Sequence, residues 1–424
     1  MTSKERVKAA INHVQPDKVP IDFGSTAVTG MHITVVEELR RHFGLDMSSP
    51  VKLEETFQCL GKIEEDLADL IGVDVADANG PNTFFGFKND NWKEWQAPWG
   101  QKILVPGEFN TSPSPKGGIV IYPEGDTSAP PSGHMPESGY FFDAIVRQEP
   151  LPDDDEDLKA EDNLEDFKPI TDEVLASIKA KADYQNRRGK FIIANIGGTG
   201  LGDIALVPAL FLKYPKGIRD ITEWYISTVS RQDLLHEIFE RQYEIAIANF
   251  QRLFNTVGND IDLVFICGTD FGTQDSTFCS VETYRSLYHP HYKKLNDWIH
   301  SNTQWKSFKH SCGAVTDFIP EFIASGFDTI NPVQTSAKGM DPGFLKKEFG
   351  KDITFWGGGV DTQNILPFRT PEEVRKEVLY KLETFSKDGG YVFNGIHNIQ
   401  AKTPIENLVA MINAVKEYNG EPAV

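Results

Sequence analysis

A histidine and a cysteine stand two residues apart in Phe308-Lys309-His310-Ser311-Cys312-Gly313, at the end of a short run patterned as a strand. Side chains at i and i+2 of a strand share a face, so His310 and Cys312 aim an imidazole nitrogen and a thiol sulfur at one point. Zinc takes both donor types, at about 2.0–2.3 Å. A third donor would make the set catalytic, since catalytic zinc has three protein ligands and an open fourth position, whereas structural zinc is closed by four. His397, in Gly395-Ile396-His397-Asn398-Ile399-Gln400, follows the last strand-like run and is the candidate. A packed His–Cys pair is the alternative, and so is a hydrogen-bonded core role for His397.

Other polar residues fall where strand-like runs end. Asp270 and Asp361 are the carboxylates placed to act as acid or base. Asn195, Gln274 and Asn331 are the amides placed to hold a substrate or to support a ligand. For each, a turn or cap role is the plainer reading. The cluster Gly198-Thr199-Gly200-Leu201-Gly202 lacks the spacing of a dinucleotide fingerprint and the Lys-Ser/Thr of a phosphate loop. It reads as a tight strand-to-helix turn. Gly357, Gly358 and Gly359 let the backbone approach a ligand closely.

The elements that must position these residues alternate. Short, largely apolar strands are expected at 19–23, 73–77, 191–196, 262–267, 305–310, 328–332, 353–357 and 391–394. Helices are expected at 3–13, 35–43, 60–71, 171–187, 281–302, 314–325, 341–349 and 371–387. Eight strands, each followed by a helix or an insertion, are what a closed parallel (β/α)8 TIM barrel requires, with an open doubly wound sheet as the alternative. In a barrel the loops after the strands form one face, and that face carries the chemistry. Zinc bound by strands five and eight, which are not neighbours, would sit near the axis.

Between about 82 and 170 the pattern changes to aromatics, turn clusters and short β-like pieces, which reads as an insertion of hairpins and loops within a single domain spanning 1–424. The run Asp153-Asp154-Asp155-Glu156-Asp157 reads as a solvated linker. Phe84, Phe85, Phe87, Trp92, Trp95 and Trp99 of the insertion are either core or a wall for an apolar substrate.

Composition narrows the function. Forty-two Lys and Arg against 62 Asp and Glu leave a net charge of −20, which excludes a nucleic-acid binder and disfavours an anionic membrane surface. The start, Met1-Thr2-Ser3-Lys4-Glu5-Arg6-Val7, has no apolar signal region, and no apolar run reaches membrane-spanning length. The expectation is a cytoplasmic protein. Cys59, Cys267, Cys279 and Cys312 lie far apart and are expected to be reduced.

Several stretches resemble the uroporphyrinogen decarboxylase superfamily, and within it the zinc-dependent, corrinoid-linked methyltransferases. They are Asp270-Phe271-Gly272-Thr273-Gln274, His310-Ser311-Cys312-Gly313, the run from Trp356 to Gln363, and Gly395-Ile396-His397-Asn398-Ile399-Gln400-Ala401-Lys402-Thr403-Pro404. Glu5-Arg6-Val7-Lys8-Ala9-Ala10-Ile11 and Pro16-Asp17-Lys18-Val19-Pro20 are similar too. The resemblance implies a distorted (β/α)8 barrel. In the methyltransferase branch it implies zinc on a His-x-Cys pair, here His310 and Cys312, and on a Cys of the last strand-to-helix loop, where this chain has His397. The arginine-rich motif by which the decarboxylases grip a polycarboxylate has no counterpart after Pro20, where the chain reads Ile21-Asp22-Phe23-Gly24-Ser25-Thr26.

The activity implied is methyl transfer to or from the cobalt of a corrinoid carried by a separate protein, since nothing in this chain looks like a corrinoid module. Two neutral imidazoles and one thiolate leave zinc a charge of about +1, against roughly zero for one imidazole and two thiolates. The higher charge favours polarising an ether oxygen over presenting an electron-rich thiolate. The expected substrate is therefore a small O-methyl donor such as an aryl methyl ether. The alternatives are a methylcobamide:thiol methyltransferase, a decarboxylase and a non-catalytic binding barrel. A homo-oligomer is compatible with all of them.

Overall fold

The computed structural model describes residues 1–151, 158–164 and 167–424. The acidic run at 153–157 lies outside the described residues.

Seven parallel strands form one curled sheet: β1 (Val75–Asp77), β2 (Phe191–Ala194), β3 (Leu263–Cys267), β4 (Lys306–His310), β5 (Thr329–Asn331), β6 (Thr354–Trp356) and β7 (Tyr391–Val392), paired in chain order. The expected strand at 19–23 is reduced to a bridge, yet it closes the ring. Ile21 pairs with Phe393 in parallel, Asp22 N donates to Phe393 O, and Asp74 N donates to Ile21 O. Pro20 at its start and Gly24 at its end leave too few amides for a longer ladder. The expected TIM-like barrel is the fold, with its first strand the shortest.

The interior follows from the alternation of each strand. Val75, Phe191, Ile193, Leu263, Phe308, Trp356 and Val392 fill it, and Val7 and Ile11 close its floor. Both come from the helix Ser3–Ile11, whose N-cap is Thr2. Thr2 and Glu5 form a reciprocal capping box. The strand-to-helix loops emerge at the other end, the face that carries the chemistry in barrels of this kind.

Several expected elements shift. The helix expected from 60 covers only Glu65–Ile71, because Leu60–Gly61 pairs antiparallel with Leu53–Glu55. The second helix begins at Ile33. The helix expected at 281–302 is interrupted by a π-helical segment, Tyr284–Tyr288. Three helices were not read from the sequence: Ile221–Ser230, the 26-residue Gln232–Val257, and Ile405–Tyr418. In the region of the proposed insertion, Lys93–Gln96 pairs with Lys102–Val105, and a four-stranded antiparallel sheet runs from Thr111–Pro113 to Asp143–Ala144. Phe85, Phe87, Phe109 and Phe142 are buried in its core. All four cysteines are free thiols.

A candidate metal centre at the mouth of the barrel

Phe308 and His310 are two residues apart on β4, so both point into the barrel, Phe308 into the packed interior and His310 just above it. Register places His310 beside Asn331 on β5. The His310 Nδ1–H donates to Asn331 Oδ1 at 2.7 Å, and Asn331 Nδ2 donates to the Trp356 carbonyl at 2.9 Å. Nε2 of His310 is thereby left with its lone pair, 3.3 Å from Cys312 Sγ. Cys312, two residues beyond His310, keeps to the same face, as that contact shows.

His397 comes from the loop after β7, across the mouth. Its ring centroid lies 5.5 Å from that of His310. One donor atom each from His310, Cys312 and His397 lie within 4.8 Å of one another, forming the one group of three or more potential metal-ligating side chains among the described residues. The donor set fits zinc. Two donors bound at tetrahedral angles with ordinary zinc–nitrogen and zinc–sulfur lengths sit about 3.6 Å apart, close to the 3.3 Å between His310 Nε2 and Cys312 Sγ.

The Cys312 loop is braced from three sides. Cys312 N donates to Asp270 Oδ1 at 2.7 Å, Gly313 N to Gln334 Oε1 at 2.8 Å, and Ser311 N to Asn331 O at 2.7 Å. Gly313 adopts φ +90°, and a Cβ there would lie 2.3 Å from the carbonyl carbon of Gly272. Only glycine permits that approach. Beneath the loop, Lys309 points outward from the barrel and is fully buried. Its Nζ donates to the carbonyls of Thr269 and His310 at 2.7 and 2.6 Å and lies over the rings of Phe271, Tyr292 and Phe322. It ties the end of β3 to the end of β4, the two places from which Asp270, His310 and Cys312 emerge.

Burial dominates the electrostatics. It lowers both His310 and His397 to about 4, so both imidazoles are neutral at pH 7. Burial, with Asp270 adding to it, pushes the Cys312 thiol well above its ordinary range, and burial also raises Asp270. Asp270 Oδ1 lies 3.9 Å from His310 Nε2, which puts a carboxylate at the edge of the cluster.

The remaining expected site residues divide. Asn331 does not face a substrate, because both ends of its amide are committed to His310 and Trp356. Gln274 is a strut rather than a substrate contact: its Oε1 accepts from Gln334 Nε2 at 2.9 Å and its Nε2 donates to Ser336 O at 2.6 Å. Asn195 is exposed, and its backbone N–H donates to Asn79 Oδ1. Asp361 is buried and serves the turn after it, accepting from the backbone of Gln363 and Asn364 and from Asn364 Nδ2. That pattern is an Asx-type turn. Lys309 and Asn398 have no role in the sequence reading, whereas Gln334 stands among its functional-type residues at strand ends. A lysine between Phe308 and His310 in an apolar run was the one visible signal for the first two.

A closed parallel barrel with a His–Cys–His cluster at the C-terminal ends of its strands defines a (β/α)8-type barrel protein with a candidate metal centre. Residues 214–418, which hold the whole cluster, match the family described as uroporphyrinogen decarboxylase (URO-D). No curated protein sequence matches the chain. A solved structure described as a methyltransferase from Methanosarcina mazei shares the fold over 99% of this chain and 99% of its own, at 14% identity and a TM-score of 0.52. A GH113 beta-1,4-mannanase overlaps 58% of this chain and 79% of its own at 12% identity and a TM-score of 0.30. Among the described residues no helix is long and apolar enough to cross a membrane.

Proposed function

We propose that this protein is a zinc-dependent methyltransferase that moves a methyl group between a small O-methyl donor, such as an aryl methyl ether, and the cobalt of a separate corrinoid protein. The observation that carries the reading is the convergence of His310, Cys312 and His397 at the open end of a superfamily barrel. His310, Cys312 and His397 would hold the zinc, which supplies Lewis-acid polarisation of the donor's oxygen when bound. Asn331 fixes the ring of His310 so that Nε2 faces Cys312. Asp270 and Gln334 hold the Cys312 loop by its backbone amides, and Asp270 is the acid or base closest to the cluster. The exposed Asn195 is retained as a substrate contact.

The residues after Pro20 support this reading over decarboxylation. Asp22 there is buried and accepts from Trp356 Nε1 and Ser25 Oγ, which is no cradle for a polycarboxylate. The protein is taken to be one barrel domain with an insertion at 82–170, working in the cytoplasm on a small methylated substrate with a corrinoid protein as partner.

The test is elemental analysis of the purified protein beside His310→Ala and Cys312→Ser, followed by methyl transfer to a corrinoid protein from a panel of aryl methyl ethers. About one zinc per chain, lost in both variants without unfolding, together with cobalt methylation, supports the assignment. Absence of bound metal after zinc is supplied would overturn it.

A further inference from the structure

His310 and His397 face the same cluster but are hydrogen-bonded in opposite senses. A neutral imidazole has one N–H and one lone pair. At His310, Nδ1 meets an amide oxygen, which only accepts, and the Asn331 amide cannot be turned over because its nitrogen is held by Trp356 O. The ring's proton is therefore on Nδ1. At His397, Nδ1 accepts from the backbone N–H of Asn398 at 2.8 Å. A backbone N–H only donates, so the proton of the neutral ring is on Nε2. His310 is set as a ligand, whereas His397 is set against being one.

Either nitrogen of His397 can reach an ion only by giving up that bond. Ligation through Nδ1 takes the lone pair that the Asn398 N–H occupies. Ligation through Nε2 sends the ring's single proton to Nδ1, where it would meet that N–H. The loop cannot simply draw Asn398 away. Asn398 is buried, its Oδ1 accepts from Gly30 N at 2.6 Å, and its Nδ2 donates to Ala27 O at 2.8 Å and Gln58 Oε1 at 2.9 Å. Ile399 N donates to Gly30 O, and Ile399 O accepts from His32 N. The amide is bolted to the segment that follows the first strand, so the His397 ring has to move.

We propose that His397 is an exchangeable third ligand. Metal is captured by His310 and Cys312, and His397 joins only in competition with the Asn398 N–H, an exchange that leaves the ring neutral and conserves its one proton. This rests on the zinc reading above. It gives the site a protein ligand that can depart without any change of charge, which opens a position for a substrate oxygen.

The test uses the full chain with its ten histidines labelled with nitrogen-15, metal-free and then with one equivalent of zinc, and His397→Gln and His310→Ala to assign the signals. In the metal-free protein His310 is expected as the Nδ1–H tautomer and His397 as the Nε2–H tautomer. Zinc is expected to change the His397 signals and to speed hydrogen exchange at the Asn398 amide. His397→Gln is expected to weaken zinc binding about 10- to 100-fold, the size of a supporting residue, with His310→Ala and Cys312→Ser weakening it far more. An Nδ1–H tautomer at His397 in a metal-free protein that does bind zinc would overturn this proposal alone, as would equal losses in His397→Gln and His310→Ala. A parent that binds no zinc would overturn the zinc reading and this proposal together.

Discussion

Asn331 lies beside His310 in the parallel register of β5 on β4, and its amide joins the His310 Nδ1–H at 2.7 Å to the Trp356 carbonyl of β6 at 2.9 Å. One side chain thus spans three adjacent strands and sets which nitrogen of His310 faces Cys312.

Replacing Asn331 by leucine is expected to lower zinc affinity about 10- to 100-fold, because the ligand ring loses the partner that fixes its tautomer and orientation. Competition with a chelator of known affinity measures it. Unchanged affinity would reduce Asn331 to a packing residue.

Zinc binding near pH 7 is expected to release about one proton per chain. His310 and His397 are already neutral, and the only proton to leave is that of the Cys312 thiol, which burial and the neighbouring Asp270 hold in place. Titration calorimetry in two buffers of different ionisation enthalpy counts it. A count of zero would mean that the thiolate exists before the metal arrives.

His32 is fully buried and lowered to about 4 by desolvation, while its Nε2 faces the Tyr140 carbonyl. Its folded-state value lies below its unfolded value of about 6.5, so the unfolded chain binds the extra proton between those limits. The contribution is complete above about pH 6.5 and is lost as pH falls toward 4, by about 3 kcal/mol. Relative to the parent, His32→Asn should therefore gain up to about that amount between pH 7 and 4.5 in urea denaturation, a difference in which all other titrating groups cancel. A constant difference across that range would show that His32 does not titrate as its burial requires.

Gly313→Ala places a methyl 2.3 Å from the Gly272 backbone at φ +90° and is expected to cost about 3 kcal/mol. Gly420→Ala, at φ +69° with nothing within 4 Å of the added carbon, isolates the conformational part and should cost about 1 kcal/mol. Equal losses in the two variants would remove the steric argument for the Gly272–Gly313 contact.

Much of the barrel was legible because its signals are local. Apolar runs of strand length recur with helical stretches between them, and seven of the eight expected strands are present at the expected places. The helix Gln232–Val257 escaped because charged and apolar residues are mixed along it, as in Arg241-Gln242-Tyr243-Glu244-Ile245, with no capping side chain to mark its start. The strand at 19–23 was over-read because Val19, Ile21 and Phe23 alternate as a strand should, while Pro20 limits the ladder that can form.

What the sequence by itself determined is the convergence of His310 and Cys312, because a two-residue spacing at a strand end fixes a shared face whatever else the chain does. That His397 meets them, that Asn331 and Gln274 support the protein rather than a substrate, and that Asp361 serves its own turn were decided only by the tertiary structure. Strand register and loop closure bring together residues far apart in the chain, and hydrogen-bond direction then sorts ligand from support. A donor type in a sequence does not show which partner will claim its lone pair.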